Sequence, residues 1–65
     1  MNMQAQVDRL LRRSEVEEMV GLKKSSIYQK MRDGNFPKPA PYRGTRHNRW
    51  RLSDIQQWLE DQLVS

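Results

Sequence analysis

A chain of 65 residues, with no cysteine, one histidine (His47) and twelve Lys and Arg against eight Asp and Glu, reads as one small basic domain over 1–65. Its composition excludes disulfide staples and Cys/His zinc sites, and no apolar run approaches the roughly 18 residues of a membrane span. The opening "MNMQAQVDRLLRR" carries no secretory apolar stretch, so the expectation is a soluble intracellular protein, disordered over 1–7 and without metal or cofactor.

Charge is distributed unevenly. Residues 53–65 hold three acids (Asp54, Glu60, Asp61) and no base, whereas residues 23–51 hold nine bases against the single acid Asp33, a net of +8. Such a patch attracts a polyanion: nucleic acid, an anionic membrane or an acidic protein.

In chain order, "DRLLRR" at 8–13 offers a short strand near 9–12. "SEVEEMVGL" predicts a helix over 14–20. Ser14 and Glu17 form a capping box, Val16, Met19 and Val20 make one apolar stripe, and Gly21 is the left-handed stop with Leu22 folding back. Two or three residues later a second helix spans 24–33, and so tight a connection crosses the pair sharply, as in a helix-turn-helix. Ile27 and Met31 point inward. At about 100° per residue the opposite face presents Ser25, Gln29 and Arg32, with Ser26 beside them, Tyr28 on the flank and Lys24 in the first turn. Gly34 ends this helix and Phe36 repeats the role of Leu22.

"FPKPAPY" is held extended by three prolines. "YRGTRHNRWRL" then predicts a β-hairpin over 41–51, with strands near 41–43 and 49–51 and Gly44 at the turn. Trp50 faces inward between Arg49 and Arg51. The final helix, 53–64, opens with a Ser53/Gln56 capping box and Asp54 at its positive end, and buries Ile55, Trp58, Leu59 and Leu63. The expected core is these four with Leu10 or Leu11, Val16, Met19, Val20, Leu22, Ile27, Met31, Phe36 and Trp50.

Catalysis finds no support in the sequence. Asp54 and Asp61 sit about 10 Å apart by helical rise on a solvated face, and His47 has no nucleophile near it in sequence. The glycines stand singly, so there is no phosphate-cradling loop. Binding is favoured instead by the convergence of a helix-turn-helix, a second helix whose outward face is all donors, and a basic hairpin tip (Arg43, Thr45, Arg46, His47, Arg49). The resulting expectation is a non-enzymatic α+β winged helix-turn-helix that binds double-stranded DNA, with helix 24–33 in the major groove and the wing on backbone or minor groove. The competing reading is a protein-interaction module that inhibits an acidic partner such as a response regulator or polymerase subunit. RNA ranks lower for want of an aromatic stacking platform.

The stretch from "RLLRRSEVEEMVGL" to "RWRLSDIQQWLEDQL", residues 9–63, resembles the AlpA family of prophage regulatory proteins, within the MerR-like winged helix-turn-helix domains that include phage excisionases. "GLKKSSIYQKM", "GNFPKP" and "RWRLSDIQQWL" carry the resemblance through their order and spacing. It implies a bacterial, nucleoid-associated protein of phage origin acting as transcriptional regulator, excision factor or both. By position it assigns Lys24, Ser25, Ser26, Tyr28 and Gln29 to the recognition segment and Trp50 to the buried wing. Lys23 stands where the family usually has a Ser or Thr cap, so the helix either starts at Ser25 or goes uncapped. Gln29 stands where Arg is common, which weakens guanine reading and permits adenine through a bidentate amide, so the family's base preference does not transfer. The DNA-contact set is therefore Lys23, Lys24, Ser25, Ser26, Tyr28, Gln29 and Arg32, with Arg43, Thr45, Arg46, His47 and Arg49 in the wing. One module of this size buries roughly 600–1,000 Å² on DNA, so further copies on adjacent sites are expected partners.

Overall fold

The computed structural model describes residues 8–40 and 47–63. It is a small α+β winged helix-turn-helix, with elements in the order β1 (Leu10–Leu11), α1 (Arg13–Val20), α2 (Lys24–Arg32), β2 (Trp50–Arg51) and α3 (Leu52–Leu63). The expected disorder of 1–7, the wing strand at 41–43 and the turn at Gly44 lie outside the described residues.

β1 and β2 pair antiparallel, Leu10 opposite Arg51 and Leu11 opposite Trp50. The Leu52 N–H donates to the Arg9 carbonyl at 2.8 Å and carries the ladder one step further. Just before β2, the Ala40 N–H donates to the Arg49 carbonyl at 2.7 Å in an isolated antiparallel bridge. The predicted N-terminal strand thus exists, and its partner is the second strand of the wing. The pleat turns Leu11 and Trp50 inward together and leaves Arg51 exposed.

Each helix end is set by a particular group. α1 begins one residue earlier than predicted, because Glu15 rather than Glu17 reaches back: its carboxylate accepts the Arg12 backbone N–H at 2.8 Å. Ser14 therefore lies inside the first turn instead of capping it, and Glu17 pairs with Arg13 at 3.0 Å. Gly21, at φ 73°, ends α1 by donating its N–H to the Glu17 carbonyl at 2.8 Å. α2 starts after Lys23, which is extended and offers no side-chain acceptor, so the missing Ser or Thr does leave this terminus uncapped. Its other end closes as a Schellman motif: Asn35 N–H to Lys30 carbonyl at 2.8 Å, Gly34 N–H to Met31 carbonyl at 3.1 Å, and Gly34 at φ 77°.

α3 follows β2 without a linker and starts at Leu52. The predicted Ser53/Gln56 box gives way to a remote cap. Asp8 accepts both the Ser53 backbone N–H, at 3.2 Å, and the Ser53 hydroxyl, at 2.5 Å, across 45 residues of sequence. These bonds, the hydroxyl one foremost, hold the Asp8 carboxyl below its ordinary value, with Arg51 assisting and desolvation opposing.

The core is Leu11, Val16, Ile27, Phe36, Trp50 and Ile55, with Val20, Leu22, Tyr28, Met31, Leu52, Trp58 and Leu59 packed around it. Two expected members do not belong. Met19 is 38% exposed, because the buried stripe of α1 is centred between Val16 and Val20 and leaves Met19 at its edge. Leu63 is 83% exposed, one turn beyond Leu59, where α3 has outrun the body it lies on.

Candidate nucleic-acid interface

α2 divides as its sequence demands. Ile27 is fully buried and Met31 partly so, while Ser25, Gln29 and Arg32 are exposed on the opposite arc and Ser26 is half-buried at its edge. Lys23 and Lys24 are exposed beside the uncapped first turn, whose free N–H groups and positive dipole end favour anions. Ser26, Gln29, Lys30 and Asp33 border a shallow depression of about 200 Å³. Tyr28, one step around the helix from Arg32 and Ser25, packs its ring on the core.

Both tryptophans fix the segment that leads from α2 to the wing. The Trp58 indole N–H donates to the Asn35 carbonyl at 2.8 Å, and the Trp50 indole N–H to the Pro37 carbonyl at 3.0 Å. Phe36 sits edge-on to Trp58, centroids 4.9 Å apart at 61°. A chain with prolines at 37 and 39 has few donors of its own, so the indoles supply the hydrogen bonds that set its path. From the far side of the wing, the Asn48 side-chain amide donates to the Tyr28 hydroxyl at 3.2 Å and ties the wing directly to α2.

An open cleft of about 490 Å³ forms where these parts meet the start of α1, lined by Arg12, Arg13, Ser14, Tyr28, His47, Asn48 and Arg49. Of the predicted contact residues it brings together Tyr28, His47 and Arg49. Arg43, Thr45 and Arg46 lie outside the described residues. Arg12, Arg13, Ser14 and Asn48 were not foreseen. The signal for Arg12 is its place directly after β1, whose Leu11 pairs with Trp50, the residue after Arg49.

The lining of the cleft includes three arginines, Arg12, Arg13 and Arg49. Glu15 bonds Arg9 at 2.6 Å and also feels Arg12 and Arg49, while Glu17 serves Arg13. Neither Glu15 nor Glu17 lines the cleft. The Glu15 carboxyl is held below its ordinary value by the Arg12 backbone N–H first, then by the surrounding arginines. Arg13 is held more firmly protonated by its bond to Glu17 and then by the Tyr28 hydroxyl. Among the described residues no three His, Cys, Asp or Glu side chains gather as a metal site, and no helix is long and apolar enough to cross a membrane.

The family model described as prophage CP4-57 regulatory protein (AlpA) matches residues 9–63, every described element included. The chain belongs to the AlpA family. Its winged helix-turn-helix, from β1 through α3, therefore falls wholly within the region that defines AlpA proteins. A phage relative, the uncharacterized protein ORF88 of Enterobacteria phage P4, is 34% identical over 57 residues, which is 88% of this chain and 64% of that protein. This chain thus spans less than two thirds of that relative's length. No solved structure matches it.

Proposed function

We propose that this AlpA-family protein is a sequence-specific double-stranded DNA-binding regulator, built as a single domain and acting on transcription, on prophage excision or on both. α2 enters the major groove, where Gln29 at the crest of its outer arc reads a base edge, Ser25 and Arg32 flank it, and Lys23 and Lys24 hold phosphates. The wing, with Arg43, Thr45, Arg46, His47 and Arg49, lies along the neighbouring backbone or minor groove.

The observation that carries this reading is the join between α2 and the wing. The Tyr28–Asn48 bond and the two indole clamps hold the wing base beside the flank of α2 next to its exposed arc. A donor-rich helix face beside the base of a wing whose sequence is basic suits a groove and its adjoining phosphates. Membership in a family of prophage regulators supports the same reading. Against an interaction module that captures an acidic protein stands the donor-rich exposed arc of α2.

Footprinting on DNA upstream of the protein's own gene and at the nearest attachment site tests the proposal. Protection of a discrete segment is the expected result. No protection on any fragment, together with capture of one acidic protein by the same surface, would replace DNA with a protein partner.

A further inference from the structure

We infer that the groove between α3 and the segment following α2 is a self-association surface, in which two copies of this chain pair about a two-fold axis and each sets Lys38 against the other's Asp61 and Trp58. The inference goes beyond the DNA reading and stands apart from it, since the pairing needs no nucleic acid.

The groove, of about 480 Å³, is lined by aromatic rings and carboxylates together. Phe36, Pro37 and Trp58 share it with Asp54 and Asp61, which stand two turns apart on one face of α3. The Trp58 ring is half-buried, and its orientation is fixed by the indole bond to the Asn35 carbonyl and the edge-on contact with Phe36. A fixed indole beside a carboxylate is a seat for a cationic side chain, whose apolar stem lies on the ring while its head meets the anion. The two acids differ. Asp54 is in the first turn of α3, where the helix dipole offsets its charge. Asp61 is in the last turn, where the dipole opposes it and no base stands. Gln57 donates to Asp61 at 3.0 Å, which orients the carboxylate without neutralising it. Among the described residues Asp61 makes no ion pair.

The occupant is identified by the base that follows the groove in sequence. Lys38 comes directly after Pro37, is exposed, and likewise makes no ion pair among the described residues. Its backbone is held in place by prolines on both sides and by the Trp50 bond to the Pro37 carbonyl. The same patch thus carries an unanswered cation and an unanswered anion that do not meet within one chain. That is the self-complementary pattern of an isologous contact, in which Lys38 of each copy reaches Asp61 of the other. A basic segment of another protein would use only the acidic half of it. The groove lining shares no residue with the proposed DNA-contact set, and two joined copies would double the roughly 600–1,000 Å² that one module buries on DNA. The contact is small and charged, so the dimer is expected to be weak and sensitive to salt.

Sedimentation equilibrium of the full chain without DNA, over a series of protein and salt concentrations, tests the pairing. The parent's average mass should rise from one chain toward two with concentration, and less so as salt increases. Lys38→Glu and Asp61→Lys should each weaken association by about tenfold or more, because like charges then face each other at both contacts. Neither change threatens the fold: Lys38 is exposed, and Asp61→Lys places a cation in the last turn of α3, where the dipole favours it. Thermal midpoints no lower than the parent's check this. Mixing the two variants should restore a dimer near parental strength, since opposite charges then meet at each contact. A parent that stays monomeric throughout would overturn the inference, as would variants that associate like the parent or a mixture that fails to recover. Growth beyond two chains would replace the two-fold contact with a head-to-tail one and overturn it as stated. Duplex binding by single copies is read separately by footprinting, so failure of the pairing leaves the α2 reading intact.

Discussion

Replacing Trp50 by Phe tests how the fold positions its wing. Trp50 is fully buried and its indole N–H is held by the Pro37 carbonyl at 3.0 Å. Phenylalanine keeps a ring against Leu11 but orphans that partly buried carbonyl, a loss of roughly 1–3 kcal/mol for an acceptor left unsatisfied. The missing ring atoms leave a void that adds about 1 kcal/mol at ~24 cal/mol per Å³. The total, roughly 2–4 kcal/mol, is a large share of the roughly 3–10 kcal/mol a 65-residue domain has to lose. At about 4–8 °C per kcal/mol, the thermal midpoint followed by far-UV circular dichroism should fall by roughly 8–30 °C. Trp58→Phe is the internal comparison. Trp58 is half-buried and its partner Asn35 is exposed, so water replaces the lost donor and the cost is about 0.5–1.5 kcal/mol. Equal midpoints for the two variants would refute the claim that the Pro37 carbonyl depends on Trp50.

Three further outcomes follow from the same structure. Lys23→Ser places an acceptor at the uncapped start of α2 and should raise stability by about 0.5–1 kcal/mol in thermal melts, while duplex affinity falls through loss of a phosphate contact. The Asp8 and Glu15 carboxyls sit below their ordinary values in the folded chain, so their stabilisation is complete above the unfolded values of 3.8 and 4.5 and disappears as pH falls through the lower folded values. Asp8→Asn should therefore make the acid unfolding curve shallower than the parent's, as read by circular dichroism between neutral and acid pH. Leu63→Ser should stay within about 0.5 kcal/mol of the parent in urea unfolding, since the side chain is 83% exposed, whereas Leu59→Ser should cost clearly more.

The helices were legible in the sequence because their stops are local. Gly21 and Gly34 both adopt the positive φ that only a left-handed terminus needs, and the apolar spacing between them leaves little choice of face. Starts were read less well where the capping group is not a neighbour. The Ser53/Gln56 pattern satisfies a capping box, yet Asp8, 45 residues away, takes Ser53, because the β1–β2 ladder carries the N-terminal segment to the head of α3. Spacing rules cannot see such a partner until strand pairing is known. Candidate residues divide in the same way. The outer arc of α2 follows from helical periodicity alone. Arg12, Arg13 and Asn48 meet Tyr28 only through the sheet register and the path of the 36–40 segment, which are tertiary facts. Leu63 and Met19 were placed inside because periodicity says which way a residue faces and does not say whether anything lies there.

The central claim is that the exposed arc of α2 reads base sequence. The most direct measurement is selection from a random duplex pool by the parent chain and by Gln29→Ala at one salt concentration. The account predicts that the parent enriches a defined motif and that the variant relaxes or changes one position within it, the others being retained. Enrichment of the same motif by both proteins, or of none by either, would contradict it.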